Sequence, residues 1–543
     1  MCVALFAVTA QPHAARAQTT IDRIDPSRIE RDNLPKPAKE VSKPAAIESA
    51  AESGATLTAA GSIEVGAIVF SGLAALTPAD FAETITPYIG RTVAQVELAE
   101  LAGKVGDRAR TLGYPFASAW IEPQRLATGI LTIRVDEGVV DEIRISGGDD
   151  RAVRRALEPL LGKPARLAEV ERQLLLAGDI DGVTIVRNRF EREGRRGILL
   201  VEIRQRPQRL RMVLDNDSTS PVGPEQLRID VDLSALLATD DAMSVTYVTT
   251  PFQPDELQYT RARYAKRLNA SGTELQIAGS VSVARPGAYI KSLDLRGQSW
   301  TASIGLSHPL IRSRAQNLWL SGSLDVRDVE QRRAGTLFRH DRIAALRVAV
   351  NGNQKVAGGI IRASATLSQG FDIFNANSVG DALASRRDAD GTFTTVSAWT
   401  DYTRALGSDF SVRLSAQAQA AFQPLLVSEE IGLGGSGFLR GYDYSERSGD
   451  QGAAASLELR YDWRGALGIL RKAQLYGFAD AGRVRNLASG FGGGKLASAG
   501  GGMRADVSSS VDANFEIAFP LSGPRYETGD RDPRVNLRLL KVF

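Results

Sequence analysis

From Pro207 to Phe543 the chain carries no helical apolar stripe and breaks instead into short stretches of alternating character, separated by Gly, Asp, Asn, Ser and Pro. Leu275, Ile277, Val281 and Val283 alternate with Glu274, Gln276, Ser280 and Ser282, and Leu318, Leu320, Leu324 and Val326 with Ser321, Ser323, Asp325 and Arg327. Side chains point to opposite faces along a strand, so such a chain must build a sheet with one apolar and one polar face. Stretches beginning near Arg209, Gln226, Asp241, Leu257, Thr273, Ser299, Asn317, Asp341, Gly358, Thr394, Phe410, Gly452, Ala473, Lys495, Val511 and Arg534 are sixteen in number. Roughly 21 residues for each strand and its connection leave room for the ~9–11 that cross a bilayer.

A soluble antiparallel sandwich alternates too, but three features favour a membrane barrel. Lipid forbids an open sheet edge, so spanning strands close in hairpins and come in even numbers. The polar faces carry charges such as Arg261, Arg263, Arg413 and Glu516, which suit a wet lumen better than a dry core. The final stretch, RVNLRLLKVF, puts Val535, Leu537, Leu539 and Phe543 on one face and resembles the closing strand of outer-membrane barrels. Lys541 shares that face and is expected to snorkel to the headgroups. The expected fold is mainly β, a 16-stranded antiparallel transmembrane barrel over residues 207–543.

Upstream, two copies of a β-α-α-β-β module are expected, over residues 63–138 and 139–206. In the first, Pro78 opens a helix after the cap Thr77, and Gln95–Tyr114 places Leu98, Leu101 and Val105 at helical spacing. Residues 18–62 contain Pro26, Pro35, Pro37 and Pro44 and read as an extended linker. Residues 1–17 combine the apolar run Cys2–Ala10 with Ala15-Arg16-Ala17, the form of a secretory signal, although a basic leading region is missing.

Catalytic equipment is sparse. One cysteine, Cys2, and three histidines, His13, His308 and His340, are poor material for a disulfide scaffold or metal centre. Gly432, Gly434 and Gly437 match GxGxxG, but no helical stripe follows; Gly490–Leu496 lacks the spacing and Ser/Thr of a P-loop. No GxSxG or HExxH occurs. We therefore expect no catalytic residues, no metal and no cofactor. The net charge of +3 gives no dominant nucleic-acid footprint.

What remains is polar. Phe438–Tyr444 (FLRGYDY) sits in the longest connection of the barrel region, and Gly477–Gly482 (GFADAG) within the thirteenth strand, where Asp480 requires a cation if it faces the lumen. Signal, linker, two modules and barrel together resemble the hemolysin secretion/activation proteins, the transporter partners of two-partner secretion, whose modules are POTRA domains. Thr128–Gly138 is similar to the end of that family's first POTRA domain and Leu214–Asp217 to the start of its barrel. Leu439, Arg440, Gly441 and Tyr442 match a loop motif usually written VRGY, and Phe478, Asp480 and Gly482 its FxDxG partner; Leu439 departs from Val.

The resemblance implies that the loop folds into the lumen and that Arg440 pairs with Asp480, locking it. It also implies an outer-membrane protein with periplasmic POTRA domains, set among outer-membrane lipids. Such a protein translocates an unfolded, adhesin- or hemolysin-like exoprotein to the cell surface without nucleotide hydrolysis, and the family's N-terminal plug helix is sought within residues 18–62. A small sheet offers an edge to an extended peptide, and the candidate edge is Ala117, Ser118, Ala119, Trp120 and Ile121. A barrel insertase and a passive porin stand as alternatives. Insertases usually carry more modules, and a porin does not need them.

Overall fold

The computed structural model describes residues 48–49, 63–124, 129–194, 196–464 and 470–543. The expected signal segment and, apart from Glu48–Ser49, the linker with its plug helix lie outside the described residues. Sixteen strands form a closed barrel in which each pairs antiparallel with the next. The first (Gln208–Asp215) and the sixteenth (Arg534–Val542) seal the cylinder, in register from Arg211↔Val542 to Asp215↔Arg538. Closure leaves no unpaired edge for lipid to meet.

Burial in the barrel is inverted relative to a soluble domain. Ile277, Val281, Leu459 and Leu537 are about half exposed on the outer face, whereas Asp230, Glu458, Asp480 and Glu516 are buried inside. Apolar side chains gain nothing from facing outward unless the surroundings are hydrocarbon. An aromatic cluster sits where an interfacial girdle belongs. Phe410 and Tyr461 lie 5.0 Å apart and Trp463 meets Tyr461 edge-on at 6.3 Å, on the outer face near the module end. Lys541 resolves its conflict with the apolar face by donating to Ser510 Oγ at 2.8 Å in the adjoining turn.

The sixth (Leu295–Arg312), seventh (Gln316–Arg333) and eighth (Thr336–Val356) strands run 18, 18 and 21 residues, longer than a bilayer requires. The expected starts at Ser299 and Asp341 fall inside these strands. The extra rungs, with Arg296, Arg332, Arg333 and His340, are too polar for a membrane crossing and read in sequence as loop.

In the first module Ala67–Ser71, Ile130–Asp136 and Ser118–Trp120 form a sheet in that spatial order, covered by the helix Gln95–Thr111. Its Leu98, Leu101 and Val105 are buried against Leu131 and Ile133. The single strand expected at Glu64–Gly72 is broken at Gly66, because the amides of Gly66 and Ala67 both donate to the Gly129 carbonyl. The detached Ile63–Val65 pairs with Arg91–Val93 instead.

The second module builds Glu142–Ser146, helices Arg151–Leu157 and Leu167–Gly178, then Val183–Glu193 and Arg196–Gln205. The outer edge of Val183–Glu193 carries Glu48–Ser49, paired parallel at Arg189 and Phe190. Phe116 stacks on Phe190 at 4.1 Å across the junction between the modules. Glu137 accepts from the amides of Ala74, Ala75 and Leu76 at 2.8–2.9 Å, and Gly138 has φ +83° where a Cβ would meet Phe116 at 2.5 Å. Acceptor and glycine together fix where the first module ends. The second module abuts the barrel through a bidentate Arg312–Asp179 pair, both contacts 2.7 Å, and Arg267 donating to the Leu176 carbonyl at 2.7 Å.

Candidate functional site

Residues 422–450 connect the eleventh strand (Phe410–Ala421) to the twelfth (Gln451–Trp463), at the barrel end away from the modules. They turn inward. Leu425 and Leu426 pack with Ile343, Ala345 and Phe393, and Glu429 takes Arg347 at 2.8 Å and Arg327 at 3.4 Å. Arg386, on the connection 372–393, reaches Asp450 at 2.7 Å, Asp388 at 3.0 Å and Glu430 at 3.3 Å. Burial opposes its charge, but these carboxylates outweigh burial and raise the Arg386 pKa above its ordinary value.

A short hairpin, Ile431–Leu433 with Arg447–Gly449, then presents the motif. Gly434 and Gly435 reverse the chain with φ +109° and +96°, and a Cβ on Gly434 would lie 2.0 Å from the Asp443 carbonyl oxygen. This glycine run makes a reversal, not a phosphate cradle before a helix. Leu439 adopts φ +61°, sparsely populated for a branched residue, in a turn closed by the Tyr442 amide donating to its carbonyl. The turn aims Arg440 at the barrel wall.

Every hydrogen-bonding face of Arg440 is used. Its amide and Nε each reach Asp480 Oδ2 at 3.1 Å and Nη2 reaches Oδ1 at 3.1 Å. Nη1 donates to Glu458 at 2.9 Å and Glu516 at 3.2 Å, and Nη2 to Ser456 at 3.1 Å. The guanidinium lies 3.4 Å from the centroid of Phe478. Arg460 and Arg504 pair with Glu458 at 2.6 and 2.8 Å, so three carboxylates face three guanidinium groups. Tyr476 donates to Glu516 at 2.9 Å and carries Arg504 over its ring at 3.9 Å. Balanced charge and filled hydrogen-bonding capacity are what allow an ion cluster to be buried.

The glycines make room for it. A Cβ on Gly482 would meet Leu439 Cδ1 at 3.0 Å, and one on Gly441 the Phe519 carbonyl carbon at 2.8 Å. Gly500 and Gly502 leave space for the rings of Phe478 and Tyr476, which would otherwise be struck at 2.8 and 2.6 Å. Tyr442 completes the seat. Its hydroxyl accepts from the Ser522 amide at 3.1 Å and donates to the Gly523 carbonyl at 3.2 Å, while Arg534 reaches its carbonyl at 2.9 Å.

The structure thus brings together Leu439, Arg440, Gly441, Tyr442, Phe478, Asp480 and Gly482. Sequence reading missed the part of Glu458 and the facing glycines; strand parity puts Glu458 in the lumen but does not say which rung it shares with the loop. The candidate exoprotein edge is remote. Ser118–Trp120 is an edge strand of the first module, with Ala117, Ala119 and Ile121 buried in its core and only Ser118 and Trp120 partly exposed. Asp328, Glu330 and His340 meet on the outer face of the seventh and eighth strands, where Arg332 already pairs with Glu330 at 3.0 Å.

The family model for the haemolysin secretion/activation protein ShlB/FhaC/HecB matches residues 194–505, over half of the chain. The chain belongs to this family of two-partner secretion transporters. The ShlB-type POTRA domain model matches residues 63–138. The outer membrane transporter CdiB of Escherichia coli O6:K15:H31 is 23% identical over 465 residues, covering 81% of this chain and 74% of its own. The heme/hemopexin transporter protein HuxB of Haemophilus influenzae is 22% identical over 472 residues, with coverage of 81% and 80%. The solved structure of CdiB from Escherichia coli superposes with a TM-score of 0.73 at 20% identity over the whole of both chains, which shows a shared fold. The transporter is an outer-membrane barrel with its POTRA domains in the periplasm, so the loop 422–450 enters from the cell-surface side.

Proposed function

We propose that this transporter captures a secreted partner protein in unfolded form on its periplasmic POTRA domains and passes it outward through the barrel lumen once the loop 422–450 leaves its seat. The observation that carries the reading is the buried cluster around Arg440. Three carboxylates, one of them also held by Arg460 and Arg504, and an aromatic face converge on one side chain of a surface loop, far more than is needed to close a barrel that backbone hydrogen bonds already seal. A seat so specific, in the path through the lumen, is a latch.

Capture uses the edge strand Ser118–Trp120, which has no second strand neighbour among the described residues and would pair with an extended segment, with Trp120 beside it as an apolar contact. Backbone pairing of this kind takes unfolded chain of varied sequence, in keeping with adhesin- or hemolysin-like cargo. No nucleotide site takes part; folding of the cargo outside the cell supplies direction. Co-expression of the transporter with its exoprotein tests the scheme. Arg440→Ala, which favours the released loop, should let small solutes leak through the barrel while it keeps its heat-modifiable migration and still delivers cargo, and a lumen as tight as the wild type's in that variant removes the latch from the mechanism.

A further inference from the structure

We propose that the outward face of the ninth to fourteenth strands binds a phosphorylated, multiply acylated glycolipid of the outer leaflet. Hydrogen-bond register places Ala365, Ala398, Ala418, Ala453, Arg483 and Lys495 in one continuous rung across six strands. The next rung toward the periplasm includes Ala416, Ala455 and Ala481, again methyl groups facing lipid. Larger side chains flank this strip. Leu367 and Val396 are paired on its surface side and Leu414 and Leu457 on its periplasmic side. Small residues between large ones leave a depression of about 1200 Å³ with an almost wholly apolar lining.

The rim of the depression is cationic. Arg483 lies near the surface end of the thirteenth strand (Lys472–Arg485), and Lys495 at the start of the fourteenth (Gly494–Ser508). They face each other directly in the register, and both line the depression. Like charges directly opposite on one face of a sheet repel. Neither side chain makes an ion pair among the described residues, unlike Arg332, which holds Glu330 on the same outer face. A pair of uncompensated cations at headgroup level, above a trough that admits hydrocarbon close to the backbone, is complementary to a lipid with phosphate on its head and several saturated chains below. In the outer leaflet of a Gram-negative outer membrane that chemistry belongs to lipid A.

Native mass spectrometry of the full chain released from detergent, titrated with bisphosphorylated hexa-acyl lipid A, tests this site. The wild-type chain should retain lipid A about tenfold more strongly than the Arg483→Gln/Lys495→Gln variant. It should also prefer it to phosphatidylethanolamine and to dephosphorylated lipid A. Ala416→Leu/Ala455→Leu, which fills the trough and leaves the cations in place, should lose lipid A to a similar extent. Arg332→Gln should not. Heat-modifiable migration identifies folded variants. Equal retention of lipid A by the wild-type chain and both double variants overturns the proposal, as does lipid A retention no stronger than that of phosphatidylethanolamine. Inorganic phosphate at the same concentration should not displace lipid A; displacement would mean an anion site without a lipid, and would also overturn it.

Discussion

Replacing Arg440 with alanine removes one cation from a balanced set and leaves Asp480, Glu458 and Glu516 facing only Arg460 and Arg504. The Asp480 and Glu458 side chains are almost fully shielded from water, so these carboxylates are not rescued by solvent. Breaking a buried pair from one side costs ~3–5 kcal/mol, and losing the contact with the Phe478 face adds up to ~2 kcal/mol. Taking the lower bound, the ratio of seated to released loop should fall by at least ~100-fold. The graded series follows from the same contacts. Arg440→Lys keeps a charge but not the bidentate hold, and should fall between alanine and wild type. Asp480→Asn leaves Arg440 with two carboxylates and an amide oxygen for its backbone N–H, and should be milder than Arg440→Ala. Limited proteolysis of the loop on intact cells gives the readout, because cleavage tracks the released population when seating is fast. Loop cleavage at the wild-type rate in Arg440→Ala, with the barrel folded, would refute the reasoning.

Other consequences are local to the periplasmic part and its attachment. Glu137→Ala orphans three amide donors and should lower the stability of the first POTRA domain by ~1–3 kcal/mol, seen as a lower thermal midpoint. Asp179→Ala strands the buried Arg312 at the junction with the barrel, and should loosen the second module by ~3 kcal/mol or more, read as faster hydrogen exchange in Leu167–Gly178. A photo-reactive residue at Trp120 should label the co-expressed exoprotein; labelling only from positions in the second module would contradict the edge-strand reading.

Much of the barrel is legible in the sequence because its physics is one-dimensional. Alternation sets which side chains face lipid, and seven strands begin at the residue the pattern indicates, among them Asp241, Phe410 and Arg534. Leu295 and Thr336 escape because alternation weakens once a strand leaves the membrane and both faces turn polar. The Arg440 loop and its Asp480 partner are visible through two short motifs, but Glu458 is not. Its place in the cluster depends on how far the loop descends, which contacts such as Gly441 against Phe519 decide. The pairing of Glu48–Ser49 with Val183–Glu193 has no local signal, since any extended dipeptide satisfies an edge.

The central claim is that the loop must leave the lumen for cargo to pass. A Cβ built on Gly482 lies 3.0 Å from Leu439 Cδ1 across that seat, which places a cysteine pair at these positions to tether it. Surface delivery of the exoprotein, measured under oxidation and after a reductant, should be blocked by the tether and recover when it is cut. Delivery at the same rate with the tether closed would contradict the account.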